Sequence, residues 1–332
     1  MTDTAVAPPV SSKPSPAVRI LKEGLSRYSL VLVWILMAFI FSMMLPDLFA
    51  TSDVAKAIFG SQTPLVFLGL ALVITLSVGE FDLSFAAIFG WAATLVPALV
   101  VLYGWSMPMA VLAAVVTSLL WGAVNAVLVV LVGINSVIVT LGVSSVAGGA
   151  AYWISQSTTV SGIDPELSNI ALGEFLGLPY IFWYGVIVVT IAAYVMSATP
   201  LGRAMVFVGS NREVARLAGI DVTLFRFMAY LISALLCAIA GIVVTIGLGG
   251  YDPAVSVTYF LPTFACVFLG TVAVVPGRFN PIGMFIAVYF LITGVIGFQL
   301  LGYSGWVTDV FYGLALIIAV TISFFVQKRF RA

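Results

Sequence analysis

The chain has 332 residues, of which 62% are hydrophobic and only 8% are charged, with a mean hydropathy of +1.21 and a net charge of zero. This composition excludes a soluble globular protein and offers no basic surface for nucleic acid. The chain has no histidine, which removes the commonest metal ligand and proton shuttle. It also has no GxxxxGK[ST] motif, so it cannot hold ATP phosphates in a P-loop.

The apolar runs are long and continuous rather than alternating, and they predict an all-α integral membrane protein. A helix of about twenty apolar residues is needed to cross the hydrocarbon of a bilayer. We therefore predict about ten transmembrane helices, near residues 28–46, 57–78, 84–105, 107–132, 136–155, 180–198, 227–249, 259–275, 281–301 and 306–326. Cys237 and Cys266 fall inside these runs and are interpreted as small buried side chains rather than a disulfide.

The predicted membrane domain covers residues 28–326 and is flanked by two polar tails. Residues 1–27 are rich in Ala, Pro and Ser, which is typical of a disordered segment. Residues 327–332 form a short basic C-terminal tail. The first apolar run is full length and has no small-residue cleavage site after it, so we interpret it as an uncleaved span.

The basic residues indicate the orientation of the chain in the membrane. With ten spans, every Lys and Arg except Lys56 falls on one side, in the two tails and in the segments after the sixth and eighth spans. Because positive residues are retained in the cytoplasm, both termini are predicted to be cytoplasmic. Residues 156–179 then form the longest external loop, which carries acids but no Lys or Arg. This loop either docks a partner or is an ordinary solvated loop.

The sequence GEFDLS, at residues 79–84, places two carboxylates between the second and third spans. Carboxylates are costly near the bilayer centre, and Gly79 permits a break in the helix. Asp82 could bond the backbone N–H groups that such a break frees, or Glu80 and Asp82 could form a polar gate. Both interpretations stay open from the residues alone.

Other polar side chains within the spans are candidates for a solute path. An amide such as Asn125 needs several partners when it is buried, and Trp121 lies one turn before it. An aromatic face beside an amide would suit a polyol or a pyranose ring, although aromatic residues more often pack or lie at membrane interfaces. Small hydroxyl residues often only help helices to pack. The polar residues considered are Thr75, Ser84, Asn125, Thr140, Ser144, Ser145 and Gln299.

A basic segment follows the sixth span, with four arginines between residues 203 and 226. Ser210 and Glu213 match the S-x-x-E capping box, and Gly219 supplies a left-handed stop, so a helix is predicted over 211–218. Such a short helix must pack against something to be stable. It is either a connector at the lipid headgroups or a docking helix for a cytoplasmic partner.

Three stretches, in order along the chain, resemble the ABC-importer permeases of the ribose, xylose and galactose type, whose sister group carries branched-chain amino acids. The first is ALVITLSVGEFDLSFAAIFG at 71–90, and the second is NAVLVVLVGINSVIVTLGVSSVAGGAAYWIS at 125–155. The third combines TPLGR at 199–203 with GSNREVARLAGI at 209–220, which is similar to the family's coupling region. The likeness covers nearly the whole chain from about residue 30.

The chain departs from the family pattern at three places. Glu80 stands where the family has a second glycine, and residues 134–136 lack the family's proline. The late glycine-rich turn reads GTVAVVPGRFNPIG at 270–283 and lacks two glycines. The residues of that turn that still match are Gly270, Thr271, Gly277, Arg278 and Gly283. These departures weaken any transfer of a particular sugar.

The resemblance implies a multi-pass permease of the bacterial inner membrane, with ATP and Mg²⁺ on a partner ATPase and no cofactor in this chain. It further implies an extracytoplasmic binding protein, a second permease chain, membrane lipid around the fold and a small polar solute. An ion-coupled secondary transporter and a branched-chain amino-acid permease are the alternatives. The implied coupling residues are Ser210, Asn211, Arg212, Glu213, Val214, Ala215, Arg216, Leu217, Ala218 and Gly219, and the candidate path or gate residues are Gly79, Glu80, Asp82, Ser84, Trp121, Asn125 and Thr140.

Overall fold

The computed structural model describes the backbone of residues 16–303 and 305–331, and the side chains of residues 28–303 and 305–322. Helices dominate this part of the chain, as the long apolar runs predict. The α-helices are α1 Pro16–Met44, α2 Ser52–Gly60, α3 Thr63–Ser77, α4 Phe85–Pro97, α5 Met107–Ala126, α6 Ser136–Ile154, α7 Asn169–Leu172, α8 Tyr180–Ala198, α9 Pro200–Ser210, α10 Arg212–Leu217, α11 Val222–Leu248, α12 Phe260–Gly270, α13 Pro281–Leu300 and α14 Trp306–Arg331.

Shorter elements extend or connect these helices. The helices α4 and α5 each continue as one π-helical turn, at Ala98–Leu102 and Val127–Leu131. The 3-10 helices are Pro165–Ser168 and Pro253–Tyr259, and the strands are β1 Val160–Ser161, β2 Glu174–Phe175, β3 Leu178–Pro179 and β4 Gly250–Tyr251.

The described residues hold 8 helical segments that are long and apolar enough to cross a membrane, together with two shorter apolar helices at Tyr28–Met44 and Trp306–Ile322. These segments coincide with the ten predicted spans, so the prediction of an all-α membrane protein is confirmed. The long segments are Ser52–Ser77, Phe85–Leu102, Met107–Leu131, Ser136–Ile154, Tyr180–Ala198, Val222–Leu248, Pro253–Gly270 and Pro281–Leu300.

The first and last helices extend beyond the predicted membrane domain into both predicted tails. The helix α1 begins at Pro16 rather than near residue 28, so the second half of the predicted N-terminal tail is helical. Proline is tolerated in the first turn of a helix, because the backbone N–H groups there have no acceptor within the helix. At the other end, α14 continues to Arg331 through the predicted tail at 327–332. Residues 1–15 lie outside the described part of the chain.

The helix α3 lies at the centre of the fold. Every one of its 15 residues is buried, and its apolar residues surround it on all sides, which is the pattern of a helix enclosed by other helices. It packs against α8, α11, α12 and α13, while α11 also packs along α4 and α5. The broken segment that follows α3 is partly enclosed, since Glu80, Asp82 and Ser84 are buried whereas Gly79 and Phe81 are exposed.

Glycines let the helices around α11 approach closely. A Cβ atom at Gly241 would come within 2.6 Å of the Phe89 carbonyl oxygen and 2.7 Å of the Ala93 nitrogen. A Cβ atom at Gly122 would come within 2.6 Å of the Ala234 Cβ. Small residues at such contacts allow backbone-to-backbone packing between membrane helices. This packing fixes α11 against α4 and α5.

The loop predicted to be external is folded. The strand β1 pairs antiparallel with β4, which directly follows α11, and Thr159 Oγ1 donates a 2.7 Å hydrogen bond to Asp252 Oδ2. The strands β2 and β3 form a hairpin, and Glu174 of β2 lies 2.7 Å from Lys56 Nζ. Lys56, the exception to the basic-residue pattern, therefore lies at the same end of the molecule as the predicted external loop.

Candidate functional site

The chain breaks sharply between α3 and α4. Gly79 has a φ angle of +77°, in the left-handed region that glycine adopts without a steric penalty. The backbone N–H groups of Gly79 and Glu80 turn back to the carbonyls of Leu76 and Thr75, at 3.0 Å each. The loop 79–84 then runs without regular structure to the start of α4. The predicted break at GEFDLS is present.

Glu80 is buried in this loop and is held by two arginines. Arg212 Nη2 lies 2.7 Å from Glu80 Oε1, and Arg226 Nε lies 2.5 Å from the same oxygen. Tyr230 donates a 3.3 Å hydrogen bond to Glu80 Oε2, and Arg212 also donates to the Gly79 carbonyl at 2.9 Å. A buried carboxylate is tolerated when charge-assisted bonds of this kind satisfy it. Glu80 therefore joins the loop to both α10 and α11.

The short helix α10 has a different cap from the predicted one. Asn211, and not Ser210, is the N-cap, because its Oδ1 accepts from the backbone N–H groups of Glu213 and Val214 at 3.1 Å each. Ser210 is the last residue of α9, where its hydroxyl donates to the Val206 carbonyl at 2.8 Å. The predicted capping box is therefore wrong, since asparagine at the next position caps equally well.

The end of α10 matches the prediction, but its extent is shorter than 211–218. The helix covers Arg212–Leu217, and Gly219 follows with a φ angle of +80°. Ala215 is fully buried against the protein, whereas 88% of Leu217 and 45% of Val214 are exposed. Val214 and Leu217, three residues apart on one face of α10, are thus turned away from the rest of the chain. That exposed face is available to a partner.

The helix α9, which the sequence pattern did not predict, holds α10 against the broken loop. A Cβ atom at Gly209 would lie 2.2 Å from the Ser77 carbonyl oxygen, so only glycine lets α9 approach the end of α3 this closely. Thr199 caps α9 by accepting from the Gly202 N–H at 3.4 Å. The close contact between Gly209 and Ser77 fixes the position of Arg212 relative to the loop 79–84.

Asp82 is the second buried carboxylate of the loop, and it bonds to neutral donors. Its Oδ1 accepts from the backbone N–H and the hydroxyl of Ser84, at 2.9 and 2.6 Å. Its Oδ2 accepts from the hydroxyl of Ser233 at 2.9 Å. Burial raises the pKa of Asp82, and these hydrogen bonds oppose that rise. Asp82 thus bonds a freed backbone N–H, as the structural interpretation predicts.

Asn125 and Thr140 extend this cluster to α5 and α6. Asn125 Nδ2 donates to Ser84 Oγ at 2.7 Å, while Thr140 Oγ1 accepts from the backbone N–H of Leu83 at 3.0 Å. The side-chain oxygen of Asn125 and the indole N–H of Trp121 are buried without a hydrogen-bond partner among the described residues. The predicted gate residues Ser84, Asn125 and Thr140 therefore lie together at the loop. Two buried polar atoms beside them, on Asn125 and Trp121, make no hydrogen bond to the described residues.

The face of α11 that completes the site was missed by the sequence interpretation. Arg226, Tyr230 and Ser233 lie at helical spacing on α11 and all bond the carboxylates of the loop. The signal was present in the sequence, because polar residues spaced by four and three along an apolar span share one helix face. Arg226 was counted only as a basic residue.

Four other candidates lie apart from this cluster. The hydroxyl of Thr75 bonds the Leu72 carbonyl of its own helix, and that of Ser145 bonds the Leu141 carbonyl. Each of these hydroxyls therefore donates its only hydrogen within its own helix. Gln299 is exposed near the end of α13, and Ser144 is partly buried on α6.

The amino-acid sequence of the chain has relatives among known transport proteins. A family model described as "Branched-chain amino acid transport system / permease component" matches residues 55–320, which is well over half of the chain. The chain is 25% identical over 292 residues to the autoinducer 2 import system permease protein LsrC of Salmonella choleraesuis (strain SC-B67), covering 88% of this chain and 84% of that protein.

Two further relatives carry sugar names. The fructose import permease protein FrcC of Rhizobium meliloti is 28% identical over 271 residues, covering 78% of this chain and 74% of that protein. The L-arabinose ABC transporter permease protein AraH of Azospirillum brasilense is 25% identical over 329 residues, covering 99% and 96%. The comparison with solved structures found no match.

A permease component acts with other subunits of a transport system, and the helices, the family match and the relatives agree on that role. The chain therefore belongs to the family of ABC-importer permease components, as a multi-pass transport subunit of the bacterial inner membrane rather than an enzyme.

Proposed function

We propose that this permease carries a monosaccharide or a related polyol into the cell. An extracytoplasmic binding protein delivers the solute, a second permease chain completes the path, and a cytoplasmic ATPase that holds ATP and Mg²⁺ drives the cycle. The solutes in the names of the relatives, autoinducer 2, fructose and L-arabinose, support this class of cargo. The resemblance of residues 199–220 to the family's coupling region supports an ATPase partner.

The observation that carries the proposal is the ion pair between α10 and the broken loop. Arg212 lies on the short helix whose apolar face is exposed, and it bonds both Gly79 and Glu80. A partner that binds and displaces α10 therefore moves the loop 79–84. The two charge-assisted hydrogen bonds from Arg212 to Gly79 and Glu80, at 2.9 and 2.7 Å, link the helix to the loop. The loop in turn leads into α4, so displacement of α10 reaches a membrane-spanning helix.

The polar cluster behind the loop is the part of the path that we assign to the gate. Ser84 and Asn125 bond each other there, while the Asn125 oxygen and the Trp121 N–H are left without a partner among the described residues. Unpaired buried polar atoms are costly, and solute hydroxyls that pass this point can satisfy them. An alternating opening and closing of the loop exposes these groups to each side in turn.

An ion-coupled secondary transporter is less well supported. Such a transporter usually needs a carboxylate within the membrane that is free to bind the coupling ion. Glu80 is occupied by two arginines and a tyrosine, and Asp82 is occupied by two serines. Neither carboxylate is unsatisfied in this arrangement.

Breaking α10 tests the coupling role. We expect Val214→Pro to abolish uptake while the partner ATPase keeps hydrolysing ATP, because proline removes the Val214 N–H that Asn211 caps and disfavours a helical conformation at Glu213. Val214 is 45% exposed, so the membrane helices remain folded. The measurement is solute uptake and ATP hydrolysis in proteoliposomes that contain the complete importer.

Lys56→Gln is the control, since its exposed ion pair with Glu174 contributes little to stability. Full uptake by Val214→Pro would disprove the coupling role. A ligand screen on the cognate binding protein tests the cargo separately, with sugars and polyols against branched-chain amino acids. Preference for an amino acid would overturn the sugar assignment while leaving the coupling result intact.

A further inference from the structure

A cavity of about 970 Å³ opens between the end of α8, α9 and the turn that precedes α13. Most of its lining is apolar, with Met196 of α8, Phe207 of α9 and Phe279 among the contributing side chains. Arg203 and Arg278, from two separate segments, line the same cavity. The cavity lies on the other side of α9 from the loop 79–84, and none of the residues that hydrogen-bond to the side chains of Glu80 and Asp82 lines it.

The two arginines have no counter-charge of their own. Both side chains are exposed, and neither has a carboxylate within ion-pair distance in the part of the chain whose side chains are described. Two like charges that share one cavity repel each other unless an anion lies between them. Guanidinium groups bind phosphate oxygens through paired N–H donors, which makes phosphate the matching chemistry.

A different face of α8 from the one that lines the cavity is exposed. Ile187, Ile191 and Tyr194 are 54%, 58% and 66% exposed, which is the exposure expected of side chains that face acyl chains. The cavity thus combines two arginines at the predicted cytoplasmic face with a mostly apolar lining, next to a helix that faces acyl chains. Basic pockets between membrane helices on the cytoplasmic side are suited to anionic lipid headgroups.

The tails of the chain itself do not fit this site. Residues 1–27 hold four basic residues against Asp3 and Glu23, and residues 327–332 hold only basic charges. Both tails are therefore repelled by the arginines. A molecule with a phosphate at one end and hydrocarbon at the other satisfies both halves of the cavity.

We propose that this cavity is a binding site for an anionic phospholipid of the cytoplasmic leaflet, with the lipid phosphate held by Arg203 and Arg278 and an acyl chain lying against the apolar lining of the cavity. The site is independent of which solute the permease carries. It relies only on the orientation that the basic residues predict.

The test is lipid binding to the purified, delipidated full-length chain, measured by native mass spectrometry. We expect phosphatidylglycerol to bind at one saturable site at least about tenfold more tightly than phosphatidylcholine with the same acyl chains, and inorganic phosphate not to displace it. The double variant Arg203→Gln/Arg278→Gln should lose about thirtyfold in affinity, because each arginine contributes about fivefold near an anionic lipid.

Two further variants separate charge from folding. The double variant Arg203→Lys/Arg278→Lys keeps both charges and should retain the preference for phosphatidylglycerol. Arg216→Gln removes a cytoplasmic arginine outside the cavity and should leave lipid binding unchanged. Equal binding of the two lipids, or an equal loss in Arg216→Gln, would overturn the proposal. Displacement of the lipid by inorganic phosphate would instead identify a free-anion site, and displacement by the ATPase would identify a subunit interface.

Discussion

Glu80 has two arginine partners that differ in their access to water. The side chain of Arg226 is 16% exposed, whereas that of Arg212 is 42% exposed, and both contact the same carboxylate oxygen. An ion pair in contact with water is screened and contributes little, while breaking a buried pair leaves a charge that nothing compensates. The two arginines therefore have different roles: Arg226 stabilises the fold and Arg212 connects it to α10.

This difference predicts a separation of stability from transport. Arg226→Gln should lower the free energy of unfolding by about 3 kcal/mol, because it leaves Glu80 buried with only one partially exposed cation. Arg212→Gln should lower it by about 1 kcal/mol or less, yet should reduce coupled uptake more than tenfold. Thermal denaturation of the purified permease, with uptake measured in parallel, decides between these effects. Equal destabilisation by the two variants would contradict the assignment.

Gly209 predicts a second effect at a single residue. Gly209→Ala places a methyl group 2.2 Å from the Ser77 carbonyl, so α9 must move away from α3 at a cost of about 1–3 kcal/mol. Gly142→Ala on α6 is the matched control, because a Cβ atom there meets nothing within 4 Å and should be neutral or slightly stabilising. Denaturation midpoints of the two variants give the comparison, and similar midpoints would mean that the close contact carries no energy.

At the scale of the helix, two substitutions show whether Asn211 or Ser210 caps α10. Asn211→Ala should weaken the helix by about 1 kcal/mol, since two backbone N–H groups lose their acceptor. Ser210→Ala should have a smaller effect, because the Ser210 hydroxyl bonds the carbonyl of Val206 within α9. Hydrogen exchange at the amides of Glu213 and Val214 measures the difference directly. Faster exchange in Ser210→Ala than in Asn211→Ala would restore the capping box that the sequence predicts.

The sequence located the membrane helices well but located the polar elements only in part. Long apolar runs determine where spans lie, because the bilayer requires a fixed length of hydrocarbon-compatible helix. Gly79 and Gly219 were identified from their position in turn and stop patterns, and both have positive φ angles. The helix α9 was missed because its residues 200–210 mix glycine, arginine and apolar side chains without a clear period. The partners of Glu80 lie some 130 to 150 residues away from it in the sequence. Hydrophobic periodicity describes only neighbouring residues, so it does not predict contacts at such separations.

For the molecule as a whole, the orientation gives the next prediction. Leu217 of α10 and Leu176 of the external hairpin are 88% and 77% exposed at the two ends of the fold. Leu217→Cys should react with a membrane-impermeant maleimide only after the cells are opened, whereas Leu176→Cys should react in intact spheroplasts. Cys237 and Cys266 are buried and therefore provide a low background of labelling. The reverse labelling pattern would invert the topology and place α10 outside the cell.

The helix α11 contacts both functional ends of the permease. Near its start, Arg226 and Tyr230 hold Glu80, and just beyond its other end β4 pairs with the external strand β1. Its 27 residues correspond to about 40 Å of unbroken helix, which is longer than the hydrocarbon is thick. A shift of α11 as a rigid body therefore displaces the contacts with Glu80 at one surface and the β1–β4 pairing at the other. In the transport cycle proposed above, thermodynamic reciprocity then requires that nucleotide binding on the inside and solute delivery on the outside change each other's free energy by the same amount.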